Sequence, residues 1–162
     1  MREITTVTKV YTFEELSDKA QEKALERLWD LNVHHGWWES VYEDAKRIGF
    51  EITGFDTDRG NYLSGNFTTS APEMAEAIVR EHGGETDTLG LARKFLDETT
   101  ALGNLEENGA AFDSLADEFE RAIKEEYLHM LRREYEYLTS REAIIETIEA
   151  NGYEFDEEGE LQ

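Results

Sequence analysis

The stretch around Asp56 comes nearest to the spacing of a metal site. Asp56, Asp58 and Gly60 begin like a calcium-binding loop, D-x-D-x-G. An EF-hand places its glycine one position later and ends in a bidentate glutamate, where this chain has Phe67. We therefore predict a hairpin turn in which Arg59 neutralises the two aspartates. A metal-binding domain or small enzyme that uses Asp56 and Asp58 is the third of the three functional hypotheses; the first and second are given at the end of this subsection.

Other residues that could do chemistry give weak patterns. The chain has four histidines, and none has the i, i+4 spacing of helical zinc ligands: His34, His35, His82 and His129. It has no cysteine, which excludes disulfides and thiol catalysis. Glu51 and Asp56 are the first pair to check for acid–base work, which requires environments that separate their pKa values. Without a phosphate-binding or nucleophile motif, we expect a non-enzymatic protein with no cofactor and no bound metal.

Capping residues and turn formers predict the elements that must position these groups. Thr12 with Glu15, and Ser70 with Glu73, have the capping-box spacing of a helix start. Alternation of β-branched residues predicts a strand over Ile4–Tyr11. The first helix is predicted to start at Thr12 or, after a frayed first turn, at Ser17. The remaining predictions are a helix 38–48, hairpin strands 50–55 and 62–68, a helix 87–102, a long helix that starts at residue 105 or 110 and ends at 138, a helix capped by Thr139, and an edge strand 153–155.

These elements predict one α+β domain over residues 1–162, in which a small antiparallel sheet packs against several helices. The aromatic share of 11% favours a folded core over disorder. The chain has no apolar run of membrane-spanning length and no signal-peptide pattern, so we expect a cytoplasmic protein without a membrane partner. With a net charge of -22, direct binding to nucleic acid is not expected.

Four segments resemble small acidic proteins encoded by tailed phages and prophages. They are YTFEELSDKA, WWESVYEDA, ITGFDTDRGNYLSGNF and YEYLTSREAIIETIEANGYEF, and together they cover about half of the chain. The family has no established activity, so the resemblance supplies no functional residues. It implies a phage gene product made inside a bacterial host cell.

Unpaired acids are concentrated near the C-terminus. On the first helix, Lys19, Lys23 and Arg27 each precede an acid by three residues, which predicts a largely compensated surface. After Arg133 the only base is Arg141. The predicted partner-binding acids are Glu142, Glu146, Glu149, Glu157 and Glu158.

The first hypothesis is therefore an acidic inhibitor that mimics nucleic acid. It would bind a basic surface on a bacterial host protein that handles nucleic acid or defends against phage, with Trp37 as an apolar anchor. The second is a phage structural or assembly protein that binds through an apolar patch, without mimicry. A homo-oligomer is left open by the sequence.

Overall fold

Six helices and one two-stranded antiparallel sheet confirm the predicted α+β class. The computed structural model describes all 162 residues. The elements are α1 (Asp18–Arg27), α2 (Glu39–Arg47), β1 (Phe50–Asp56), β2 (Tyr62–Phe67), α3 (Ala71–Glu81), α4 (Asp87–Leu102), α5 (Leu105–Leu138) and α6 (Arg141–Asn151). A short 3-10 turn, Phe13–Glu15, precedes α1.

The chain divides into two units. The terminal unit comprises Met1–Trp37 and Tyr135–Gln162, and the central unit comprises Trp38–Glu134. Each unit has its own apolar core. Whether the whole chain acts as one domain stays a prediction.

In the central unit, the hairpin contributes aromatic side chains to the core. Phe50 of β1 pairs in register with Phe67 of β2, and their rings stack with centroids 4.7 Å apart. The ring of Tyr127, on α5, meets Phe50 edge-on at 5.9 Å. The predicted capping box at Ser70 begins α3, with both of its hydrogen bonds present.

In the terminal unit, α1 and α6 share one core with the residues that flank them. Ser17 caps α1 by accepting the N–H of Ala20. The buried set consists of Phe13, Leu16, Ala20, Ala24, Leu25, Ile144, Ile148 and Phe155. The predicted edge strand reduces to Phe155, which forms bridges with Tyr11 and Leu161.

Two predictions about the elements are wrong. Residues 4–10 form no strand because no neighbouring segment pairs with them, and only Tyr11 makes a bridge. The cap of α6 is Ser140, whose Oγ accepts the N–H of Ala143. Thr139 instead donates its hydroxyl to the carbonyl of Tyr135 at 2.8 Å, as the last turn of α5 allows.

The C-terminal turn is held against α1 by a close backbone approach. Asp156 Oδ1 accepts the N–H groups of Glu158 and Glu160, each at 2.9 Å. Gly159, with φ 86°, lies so near to α1 that a Cβ there would be 2.3 Å from the carbonyl oxygen of Ala20. Only glycine fits, so this contact fixes the position of the turn.

We expect Gly159→Ala to destabilise the protein by about 3 kcal/mol, because left-handed strain adds to a clash with backbone atoms. Gly152→Ala is the matched control. Its φ is also left-handed, at 62°, but nothing lies within 4 Å of its Cβ position. We expect that variant to lose only about 1 kcal/mol. Equal losses for the two variants in urea unfolding would contradict the close approach.

Candidate functional site

Three of the predicted acids form an exposed face on α6. Glu142, Glu146 and Glu149 lie one turn apart and are exposed. The opposite side of the helix carries the buried residues Ala143, Ile144 and Ile148. Acids at this spacing have Cβ atoms about 5–6 Å apart. The sequence pattern therefore places these three charges together, and we call them the α6 acidic face.

The nearby arginines bind other acids and leave this face unneutralised. Arg141 forms its ion pair with Glu22 of α1. Arg27 of α1 pairs with Glu160 at 3.5 Å. No ion pair involves a residue of the α6 acidic face. The ion pairs predicted between neighbouring residues of α1 do not form. The residues of α1 that do form ion pairs, Glu22 and Arg27, pair instead with residues far along the chain.

Hydrogen bonds to Asn32 hold α6 in place. The Asn32 side-chain amide donates to the carbonyl of Leu138 at 3.0 Å, and its oxygen accepts the hydroxyl of Thr147 at 2.7 Å. Tyr137 donates its hydroxyl to Glu146 Oε2 at 3.4 Å. The acidic face is thus part of an ordered helix and not of a free tail.

Glu157 and Glu158 lie elsewhere in the terminal unit. Both are exposed in the turn that Asp156 organises. They line an open groove together with Val7 and Lys9. The sequence grouped them with the helix acids because they follow in the chain, but they occupy the turn and not the α6 acidic face.

The two tryptophans of the terminal unit differ from each other in their exposure. Trp37 is half-buried, and its ring packs against Tyr135 with centroids 5.6 Å apart. Trp29 is 51% exposed and is the more accessible indole of the terminal unit. It lies two residues after the end of α1, where helical periodicity no longer predicts which side is buried.

At the hairpin tip, the aspartates serve the turn. Asp56 Oδ1 accepts the N–H of Asp58 at 2.8 Å, and Oδ2 accepts the N–H of Gly60 at 3.2 Å. The predicted turn is therefore confirmed, but Arg59 forms no ion pair with either aspartate. Glu51 and Asp56 lie near opposite ends of β1, about 16 Å apart along the strand, and cannot share a proton.

The central unit contains a polar network that the sequence did not indicate. His82 is nearly buried, with Nδ1 2.7 Å from the hydroxyl of Thr88 and Nε2 3.2 Å from Asp44 Oδ1. Tyr127 donates its hydroxyl to Asp44 Oδ2 at 2.7 Å. Because a carboxylate only accepts, Nε2 carries a proton that it donates to Asp44.

Thr88, His82 and Asp44 have the residue types of a nucleophile–histidine–acid triad in a hydrolase. Their positions in the core, however, indicate a structural role. The Thr88 side chain, which would be the nucleophile, is fully buried. A substrate cannot reach its oxygen in this conformation. The network satisfies polar groups inside the core and joins α2 and α5 to the end of α3, at His82, and to the start of α4, at Thr88.

Comparison with known proteins finds no matching family model, no matching curated protein and no matching solved structure. The phage family therefore remains a prediction from the four segments. None of the helices combines the length and the apolar character required to span a bilayer. No cluster of three potential metal-ligating side chains is present.

The Tyr127–Asp44 bond makes the stability of the central unit depend on pH. Burial, then the hydrogen bond and negative charge of Asp44, raise the pKa of Tyr127 far above its ordinary value of 10.0. The unfolded tyrosine ionises near that value and the folded one does not. The contribution of Tyr127 to the free energy of unfolding is therefore complete below about pH 10 and is lost as the pH rises further.

We expect urea unfolding to show this loss between about pH 10 and about pH 11.5, at up to about 1.4 kcal/mol per pH unit. Tyr127→Phe removes that part of the slope. It also lowers stability at neutral pH by about 1–2 kcal/mol, because Asp44 loses a donor. Tyr62→Phe changes a half-exposed tyrosine and keeps the original slope. The account of Tyr127 is wrong if both variants show the same dependence on pH.

Proposed function

We propose that the chain is an acidic inhibitor whose α6 acidic face occupies a basic, nucleic-acid-binding surface on a bacterial host protein. The observation that carries this proposal is the set of three exposed glutamates on one helix, none of which forms an ion pair. A phage origin is the expected context. The inhibitor is not an enzyme and requires no cofactor.

The charge density of the α6 acidic face supports the mimicry. Glu142 and Glu149 are seven residues apart, which is about 10 Å along the helix axis. Three charges over that length are of the same order as the one charge per ~3.4 Å of a single DNA strand. A groove lined by lysine and arginine would attract either surface by the same electrostatic steering.

The order of α6 adds to this support. A flexible acidic tail loses conformational entropy when it binds, and a packed helix loses much less. Ser140 caps the start of α6, and Asn32 links both α6 and the end of α5 to the loop after α1. The acids of the C-terminal turn, Glu157 and Glu158, provide further negative charge, and Trp29 offers an exposed aromatic contact.

The test is capture of host proteins from a bacterial lysate by the immobilised chain. The first variant combines Glu142→Gln, Glu146→Gln and Glu149→Gln, which removes the charge of the α6 acidic face. The matched control combines Asp113→Asn, Glu118→Gln and Glu125→Gln. These residues are exposed on α5 and form no ion pair. Their substitutions remove three negative charges, as the substitutions in the first variant do.

We expect the first variant to bind its main captured protein about tenfold more weakly and the control to bind it normally. Binding of the original chain should weaken steeply between about 50 mM and about 200 mM salt. Equal affinity for both variants would refute the proposal. Salt-independent capture of phage components from a lysate of infected cells would instead support the assembly hypothesis.

A further inference from the structure

The first ten residues have the sequence of a strand but no strand beside them. Six of the seven residues from Ile4 to Val10 are β-branched, and the seventh is Lys9. Every residue from 1 to 10 is exposed, including Ile4 at 92% and Val7 at 83%. None of them makes a backbone hydrogen bond. Such a segment favours pairing with another strand.

The bridge at Tyr11 determines which edge of this segment is open. The Tyr11 N–H donates to the carbonyl of Phe155, and the Phe155 N–H donates to the carbonyl of Tyr11, both at 2.8 Å. Backbone groups of successive residues in a strand point to opposite edges. In a strand that continues back from Tyr11, the other odd-numbered residues also direct their backbone N–H and C=O groups to the Phe155 side. These residues are Thr5, Val7 and Lys9. The backbone groups of the even-numbered residues then point to the open edge.

We propose that this open edge pairs with the same edge of a second copy of the chain. The two segments would run antiparallel about a two-fold axis at Thr6, so that facing residues have numbers that sum to 12. Thr6 then faces Thr6, and Ile4 faces Thr8. The small ladder formed by Leu161, Phe155 and Tyr11 would continue through the axis into the second copy.

Charge complementarity favours a second copy as the occupant. In this register, Glu3 faces Lys9 of the second copy, and the symmetry repeats the pair. These residues occupy the closer, non-hydrogen-bonded positions, where opposite charges stabilise the pairing. The segment carries two bases and one acid, Arg2 and Lys9 against Glu3, in a chain whose net charge is -22. It is therefore a stretch at which two acidic copies can approach.

The dimer goes beyond the proposed function and responds differently to salt. Each copy has a net charge of -22, so the bodies of the two chains repel each other. Salt screens that repulsion and should strengthen the dimer. Binding to a basic host surface weakens with salt, so failure of either proposal can be distinguished from failure of the other.

The first test compares two proline variants by analytical ultracentrifugation of the full chain. We expect a concentration-dependent dimer at about 0.3 M salt, where the Debye length is below 8 Å. Thr6→Pro removes an N–H that points to the second copy and should abolish the dimer. Thr5→Pro, whose N–H points to the other edge, should retain it. Neither side chain is buried, so the thermal melting of both variants should be unchanged.

The second test is a charge exchange. Glu3→Lys places like charges opposite each other in both pairs, and Lys9→Glu does the same. Each single variant should dimerise roughly tenfold more weakly. The double variant restores opposite charges and should recover the original affinity. A chain that stays monomeric up to millimolar concentration, a dimer that survives Thr6→Pro, or a double variant no stronger than the single ones would overturn the proposal.

Discussion

The ion pair between Arg141 and Glu22 is the interaction on which the electrostatic account depends. The chain has 16 lysines and arginines for 38 acids, so every committed cation determines which acids stay unneutralised. Arg141 begins α6 but binds α1, and Arg27 of α1 binds Glu160. Exposed pairs of this kind add little stability, typically up to about 1 kcal/mol each. Their larger consequence is that they leave Glu142, Glu146 and Glu149 without a counterion.

Local chemistry made most of the fold predictable from the sequence. Ser17, Ser70 and the glycines after the helices act on their own neighbours, so their positions identified α1, α3 and the ends of α4 and α6. The strand at Ile4–Tyr11 was predicted wrongly because β-branched residues favour a strand only where a second strand is available. Ser140 and Thr139 are adjacent possible caps, and the sequence pattern did not distinguish them.

The candidate site was predictable only where one helix contains it. The helical period alone placed the three glutamates on one face, because that spacing is local. Contacts between residues far apart in the chain leave no periodic pattern in the sequence and could not be predicted from it. Asp44 and Tyr127 are 83 residues apart, and Arg141 and Glu22 are 119 apart. The greater exposure of Trp29 than of Trp37 likewise depends on tertiary packing, which the helical period does not reveal.

Competition with DNA tests the central claim most directly. A host protein retained by the chain would be loaded with labelled duplex DNA, and the chain would then be added while fluorescence anisotropy is followed. We expect the chain to displace the DNA completely, because both occupy one basic surface. A stable ternary complex, in which the host protein holds DNA and the chain at the same time, would contradict the claim that the α6 acidic face replaces nucleic acid.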